Sequence, residues 1–386
     1  MAAASNSIGV IGAFAALAAL ATCNMSGVTI GAAGESAGTV APSFAERVEE
    51  VAEEIVEERP AEERWLDDRF YGIGSTFDGY LGIAMVDVQT GALVHFNGGE
   101  TMPQQSVSKL WVALTAFDQA DKGTLDLAER DTVTFSDLTV FHQPIRKIVK
   151  AQGSFTSDYR DYIRRALTES DNTANDMVLK RVGGPDAVRS VLAEKGLGDI
   201  RFGPGERAMQ AAIAGLEWDQ RYAVGKTFFE VRKAVPHGIR RTNFDGYVSD
   251  PVDGARANAI AAALARLARG ELLSAGNTQA LLTLLDEVKS GPNRLKGGLP
   301  AGWSLGHKTG TGQVLDIVPP GVIGEQAGYN DIGILTAPNG KRYAVAVMIG
   351  RTARPVPERM DLMHKVVGAI AGYHQRVSGG VATAGS

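Results

Sequence analysis

Strand-like sequence sits at both ends of this chain, and helical periodicity fills the middle. Near the start, Leu81 to Val88 (LGIAMVDV) reads as a strand, Gln89-Thr90-Gly91 as a turn, and Leu93-Val94-His95-Phe96 as the returning strand. Near the end, Asp331 to Thr336 and Arg342 to Ile349 flank Pro338-Asn339-Gly340, and Asn-Gly is a strong hairpin signal. Helices are expected between them: one running from Ser106 on the stripe Val107, Leu110, Trp111, Leu114 and Phe117, then at about 158–181, 186–195 and 254–269. Leu281, Leu282, Leu284 and Leu285 suggest another, and a last helix is expected over about 357–375 with Met360, Met363, Val367 and Ile370 inward. Elements in this order imply an α+β fold: an antiparallel sheet built from both chain ends, flanked by helices, with an all-α lobe inserted. The expected division is an α/β lobe over 44–100 and 290–377 and a helical lobe over 101–289.

With 386 residues, 44% of them hydrophobic, the chain can bury a sizeable core. Its net charge of −5 argues against a nucleic-acid partner, which favours a basic face. The only cysteine is Cys23, so no intramolecular disulfide can form. Ile8 to Thr22 is short, apolar and uncharged, which suits the core of an export signal better than a bilayer span. Leu20-Ala21-Thr22-Cys23 resembles a lipobox, so a periplasmic location, with membrane anchoring through a lipidated Cys23, is expected. Residues 24–42, rich in Gly, Ala and Ser, read as a tether completing a leader over 1–43. Phe44 to Glu63 reads as an acidic helix that Pro60 ends or kinks, and 378–386 as a disordered tail.

Three short motifs occur in order: Ser106-Val107-Ser108-Lys109, Ser170-Asp171-Asn172 and Lys308-Thr309-Gly310. A serine hydroxyl needs a base to become a nucleophile. Residues three apart share a helix face, so Lys109 can reach Ser106 from one turn away. Ser108 points off another face and reads as a bystander. Lys109 acts as a base only if its pKa is lowered, and Lys308 is a candidate second cation for that. The histidines show no metal-ligand spacing.

Together the three motifs resemble the signature of class A β-lactamases and penicillin-binding proteins. The run Ala166–Asn175 (ALTESDNTAN), Lys308-Thr309-Gly310-Thr311-Gly312, Gly183-Gly184-Pro185 and Leu299-Pro300-Ala301-Gly302-Trp303 extend the likeness over about 66–375. It implies that Ser106 attacks a β-lactam carbonyl, that Lys109 and Ser170 move protons, and that the backbone N–H groups of Ser106 and Thr311 hold the oxyanion. Lys308 and Thr309 would take a substrate carboxylate, and Asn172 would hold the substrate side chain and Lys109. Glu206-Arg207-Ala208-Met209-Gln210 stands where the family has Glu-x-x-Leu-Asn, so Glu206 and Gln210 would position and activate the hydrolytic water, with Glu217 and Asp219 as alternatives. No cofactor is implied, and a monomer is expected. A D-alanyl-D-alanine carboxypeptidase or esterase acting on a peptidoglycan-like acyl group shares these motifs, as does a non-catalytic penicillin-binding sensor. Two stretches, 211–250 and 313–328, are insertions relative to the family and are expected to border the site. The family's second carboxylate arginine has no clear match; Arg351, Arg354 and Arg359 are candidates.

Overall fold

The computed structural model describes residues 59–316, 318 and 322–379. The expected leader with Cys23, the acidic helix as far as residue 58, and residues 380–386 lie outside that range.

Nine strands occur among the described residues: β1 (Tyr80–Asp87), β2 (Leu93–Phe96), β3 (Thr101–Pro103), β4 (Arg130–Val133), β5 (Phe155–Asp158), β6 (Gly254–Arg256), β7 (Ser304–Thr311), β8 (Gln326–Thr336) and β9 (Arg342–Thr352). The main sheet runs β2-β1-β9-β8-β7, and all its pairs are antiparallel. It therefore joins the two chain ends, as the α+β reading requires. β3 pairs with β6, and β4 with β5, in two small ribbons.

Period-two alternation gives the sheet two apolar faces. Ile83, Met85, Val345, Val347 and Ile349 pack against Leu66 and Phe70 of helix Ala61–Ser75 and Met363, Val367 and Ile370 of helix Val356–Gly379. Ala84, Val86, Ala344, Ala346 and Met348 face the opposite way, onto Ile260 and Leu264 of helix Ala257–Ala268 and the helices beyond.

Three expectations need correction. Pro60 begins a helix where it was expected to end or kink one: Ala61–Ser75 runs on well past Glu63, with Leu66, Phe70 and Gly74 recurring every four residues and buried. The last helix continues through Ser378 and Gly379, so these two residues are not part of a disordered tail. The expected helix over 158–181 is broken into Tyr159–Arg164, a π turn at Arg165–Glu169, and Asn172–Arg181. The break has a local cause. Ser170 takes a left-handed backbone (φ 57°), and the Asp171 carboxylate then caps the new helix, accepting from the N–H of Ala174 at 3.0 Å. The other Asp171 oxygen accepts from the N–H of Ile145 at 2.7 Å, tying this turn to the segment facing it. Among the described residues no helix is long and apolar enough to cross a membrane.

Candidate active site

Ser106 lies in a 3₁₀ turn, Gln105–Ser108, that runs into helix Lys109–Asp121. In a 3₁₀ turn residues i and i+3 eclipse each other. That places Lys109 directly over Ser106, and its Nζ donates to Ser106 Oγ at 2.5 Å. Ser108 turns away and donates to the carbonyl of Gln105 at 2.7 Å.

The turn is held from several sides. Gln104 donates to the carbonyls of Arg201 (2.9 Å) and Asp253 (2.6 Å) and accepts from Trp111 Nε1 at 2.6 Å. Asn330 of β8 donates to the carbonyl of Pro103 at 2.7 Å. β7 passes so close that a Cβ on Gly310 would lie 2.3 Å from the Gln104 carbonyl oxygen. The glycine of the Lys-Thr-Gly motif is thus what lets the strand approach the nucleophile.

The three motifs converge on one cavity of about 240 Å3, lined by Ser106, Ser170, Asn172, Glu206, Thr309 and Thr311, with Phe141, His142, Glu169, Ser290, Gly291 and Arg294 around them. Lys308 is wholly buried behind it, donating to Ser170 Oγ at 3.1 Å and the Thr309 carbonyl at 2.9 Å. Asn172 donates to Glu206 Oε1 and to the Val140 carbonyl, both at 2.8 Å. Thr309 shares a hydrogen bond with Ser290 at 2.7 Å.

Burial dominates the electrostatics. It pushes the Lys109 ammonium down, against the opposing pull of Glu206, Asp176 and Asp171. It pushes Lys308 well below the usual lysine range, and the neighbouring cations Lys109 and Arg294 add to this. It raises the Glu206 carboxyl, while Lys109, the amides of Gln210 and Asn172, and Lys308 oppose the rise. Asp176 is pushed up to about 7, first by burial and then by Glu206. Two lysines with lowered affinity for protons and a carboxyl with raised affinity are what proton transfer near neutral pH calls for.

Glu206 opens helix Glu206–Ile213 and lines the cavity, whereas Glu217 and Asp219 do not. Asp219 instead caps the turn at Gln220–Ala223, accepting from the N–H of Arg221. Gln210 departs from expectation. It does not line the cavity and is 2% exposed, because its amide is committed to Gln105 (2.8 Å) and Gln313 (2.9 Å). It stands one helical turn after Glu206, whose carboxylate its amide meets.

The arginine candidates are corrected too. Arg351 pairs with Glu325, Arg354 with Glu358, and Arg359 is buried against Gln326 and the Arg354 carbonyl. None lines the cavity. Arg294 does, from the loop between helix Ala275–Asp286 and β7. It donates to Thr311 Oγ1 at 2.5 Å and to the carbonyls of Gly310 and Asn330, with its guanidinium over the Tyr329 ring. No motif marks it. Its signal was position, an arginine among loop residues shortly before a strand that lines the site.

No residue of either insertion lines the cavity, and the first reaches its wall from outside. Phe228 and Phe229 of the first pack edge-on or tilted against Phe141 in the cavity wall, at 5.0 and 5.8 Å between ring centres. Among the described residues no group of three or more His, Cys, Asp or Glu could hold a metal ion.

Residues 66–373 match the beta-lactamase enzyme family. Beta-lactamase VEB-1 of Pseudomonas aeruginosa is 25% identical over 75% of this chain and 83% of its own length. Extended-spectrum beta-lactamase PER-1 of the same organism is 29% identical over 67% and 70%. A solved beta-lactamase from Chitinophaga pinensis superposes with a TM-score of 0.64 at 25% identity, over 79% of this chain and 97% of that one. With the family match covering residues 66–373 and the three motifs gathered around one serine, the chain belongs to the beta-lactamase enzyme family, on its class A serine side, and is a hydrolase of β-lactam amides.

Proposed function

We propose that this enzyme opens the β-lactam ring through an acyl-enzyme on Ser106 and releases it with water activated by Glu206. The observation that carries the reading is the 2.5 Å contact from Lys109 to Ser106 in a cavity that also holds Ser170 and Glu206. Lys109, uncharged, takes the Ser106 proton as Oγ bonds to the ring carbonyl carbon. The backbone N–H groups of Ser106 and Thr311 receive the oxyanion; one such donor is typically worth about 10²–10³ in rate. The ring C–N bond then breaks as Ser170, backed by Lys308, gives its hydroxyl proton to the departing nitrogen and takes in its place the proton held by Lys109. Glu206 next removes a proton from water as its oxygen attacks the ester carbon. The ester C–O bond breaks, and the proton held by Glu206 passes to the departing Ser106 Oγ. Asn172 holds Glu206 in register and is positioned to meet the substrate's side-chain amide.

The substrate carboxylate is proposed to lie between Thr309, Ser290 and Arg294, with Lys308 adding positive potential from behind. Arg294→Ala is therefore expected to raise KM about 10-fold to 100-fold, the equivalent of a charge-assisted hydrogen bond. Because the carboxylate is bound alike in ground and transition states, kcat should change little. Steady-state kinetics on a penicillin and a cephalosporin checks this; an unchanged KM would remove Arg294 from the carboxylate site.

The whole reading is tested by mixing the enzyme with the chromogenic cephalosporin nitrocefin and following turnover and intact mass. Sustained hydrolysis with a transient adduct on Ser106, absent in Ser106→Ala, is the expected result. A permanent adduct would favour a penicillin-binding sensor or a peptidase, and no reaction at all would refute the assignment of activity.

A further inference from the structure

The two insertions meet behind the site. Asp316 of the second accepts from Arg232 (2.6 Å) and Arg240 of the first, and Glu325 accepts from Arg241 at 2.5 Å. Phe244, Tyr247 and Val248 of the first form a small core with Leu315 and Ala327 of the second. Met209 and Ile213, from the helix that begins at Glu206, complete it.

A chain of buried hydrogen bonds crosses this junction. Arg232 donates to Gln313 Oε1 at 3.1 Å. Gln313 Nε2 donates to the Gln210 carbonyl (2.8 Å) and to Gln210 Oε1 (2.9 Å). Gln210 Nε2 donates to Gln105 Oε1 at 2.8 Å, and Gln105 Nε2 to the Tyr247 hydroxyl at 2.5 Å. Tyr247 donates to Asp253 Oδ1 at 2.9 Å, and Asp253 Oδ2 accepts from the N–H of Gln105 at 2.7 Å.

The direction of every amide in the chain follows from its ends. A guanidinium can only donate and a backbone carbonyl can only accept, so Arg232 and the Gln210 carbonyl together fix which way Gln313 points. Gln313 then holds the Gln210 oxygen, and the Gln210 NH2 is left for Gln105 and for the Glu206 carboxylate, which lies on the same helix face one turn earlier. Were Gln210 reversed, its oxygen would oppose that carboxylate.

We propose that Gln313 is a positioning residue for release of the acyl group, acting through Gln210 on Glu206, with Tyr247 closing the same chain at Gln105 beside Ser106. The proposal rests on the acyl-enzyme reading above. Its consequence is selective. Attack by Ser106 uses Lys109 and Ser170, which the chain does not touch, whereas the step driven by Glu206 depends on which end of Gln210 it meets.

Gln313→Met keeps the length of the side chain and removes both hydrogen-bonding ends. It is expected to slow deacylation about tenfold or more, the scale on which misplaced catalytic groups are felt, while acylation by nitrocefin keeps the parent rate. The acid limb of deacylation should move to higher pH, because the carboxylate loses an oriented donor. Gln313→Glu should act in the same sense, since a carboxylate beside Gln210 draws its NH2 away from Glu206. Tyr247→Phe keeps the packing and frees the Gln105 amide to turn from Gln210, and should slow deacylation and move its acid limb in the same sense; it serves as the test if the Gln313 variants do not fold. Stopped-flow acylation, acyl-enzyme decay by intact mass and pH profiles read these out. Equal loss of both steps with an unmoved pH profile would reduce the chain to a structural role and overturn the proposal, as would unchanged deacylation in all variants. No acylation of the parent enzyme would instead refute the acyl-enzyme reading itself.

Discussion

Glu206→Gln is expected to acylate at the parent rate and then stall. The substituted side chain keeps the size and one hydrogen-bonding oxygen of the original, so the Asn172 contact at 2.8 Å survives. What it loses is the ability to accept a proton from water. General-base catalysis is typically worth about 10²–10⁴, and the acyl-enzyme half-life should lengthen by that factor. Intact mass would show the adduct on Ser106 persisting long after free substrate is exhausted. Turnover at the parent rate would mean that another group drives deacylation, and the pairing of Glu206 with Ser106 would fall.

The pH dependence of the same step has a definite sign. Glu206 works as a base only when ionised, and burial raises its pKa above the ordinary glutamate value of about 4.3. Deacylation should therefore fail on acidification sooner than an exposed carboxylate would allow. A group with a raised folded-state pKa binds its proton more tightly folded than unfolded. Its contribution to stability is full below the unfolded pKa and is lost as pH rises through the folded pKa. Wherever Glu206 is ionised it is then a burden on the fold. Glu206→Gln should melt higher than the parent while losing turnover, the usual opposition between stability and a working site.

Much of this site was legible because its chemistry is carried by short-range patterns. Ser106 and Lys109 are three apart, and a turn of either helix type brings them together. Lys308-Thr309-Gly310 needed only a strand, since Thr309 and Thr311 fall on one face by alternation. The sheet was legible for a local reason too: β8 and β9 are largely apolar runs joined by an Asn-Gly turn. The remaining features depended on partners far away in sequence. Ser170 reads as the middle of a helix, and its break depends on the Asp171 carboxylate capping Asn172–Arg181 while holding Ile145. Gln210 stands where a water-holding amide is expected. Its orientation is decided instead by Gln313 and Gln105, more than a hundred positions away on either side, which no local pattern can express. Arg294 is invisible to motif reading because its role comes from where the loop ends, above Tyr329 and beside Thr311.

Lys109→Met and Lys109→Arg are both expected to lower acylation by about 10²–10⁴, the range of a lost general base. The pair separates two uses of the lysine. If Lys109 acted by its positive charge alone, arginine would preserve much of the rate. Arginine stays protonated at any accessible pH and can never accept the Ser106 proton. The lysine can, because burial lowers its pKa and makes the uncharged form available below the ordinary lysine value of about 10.4. Acylation by the parent should rise with pH through that lowered pKa, and neither variant should keep the rise. Combined with Glu206→Gln, the variants also decide which group activates the serine. Were Glu206 the acylation base, working through water, its substitution would slow adduct formation as well as release. The 2.5 Å contact favours the lysine: it is direct, needs no intervening water, and joins two residues held one 3₁₀ turn apart. Pre-steady-state rates of adduct formation in the three variants test this, and fast acylation by Lys109→Met would remove the lysine from the chemical step.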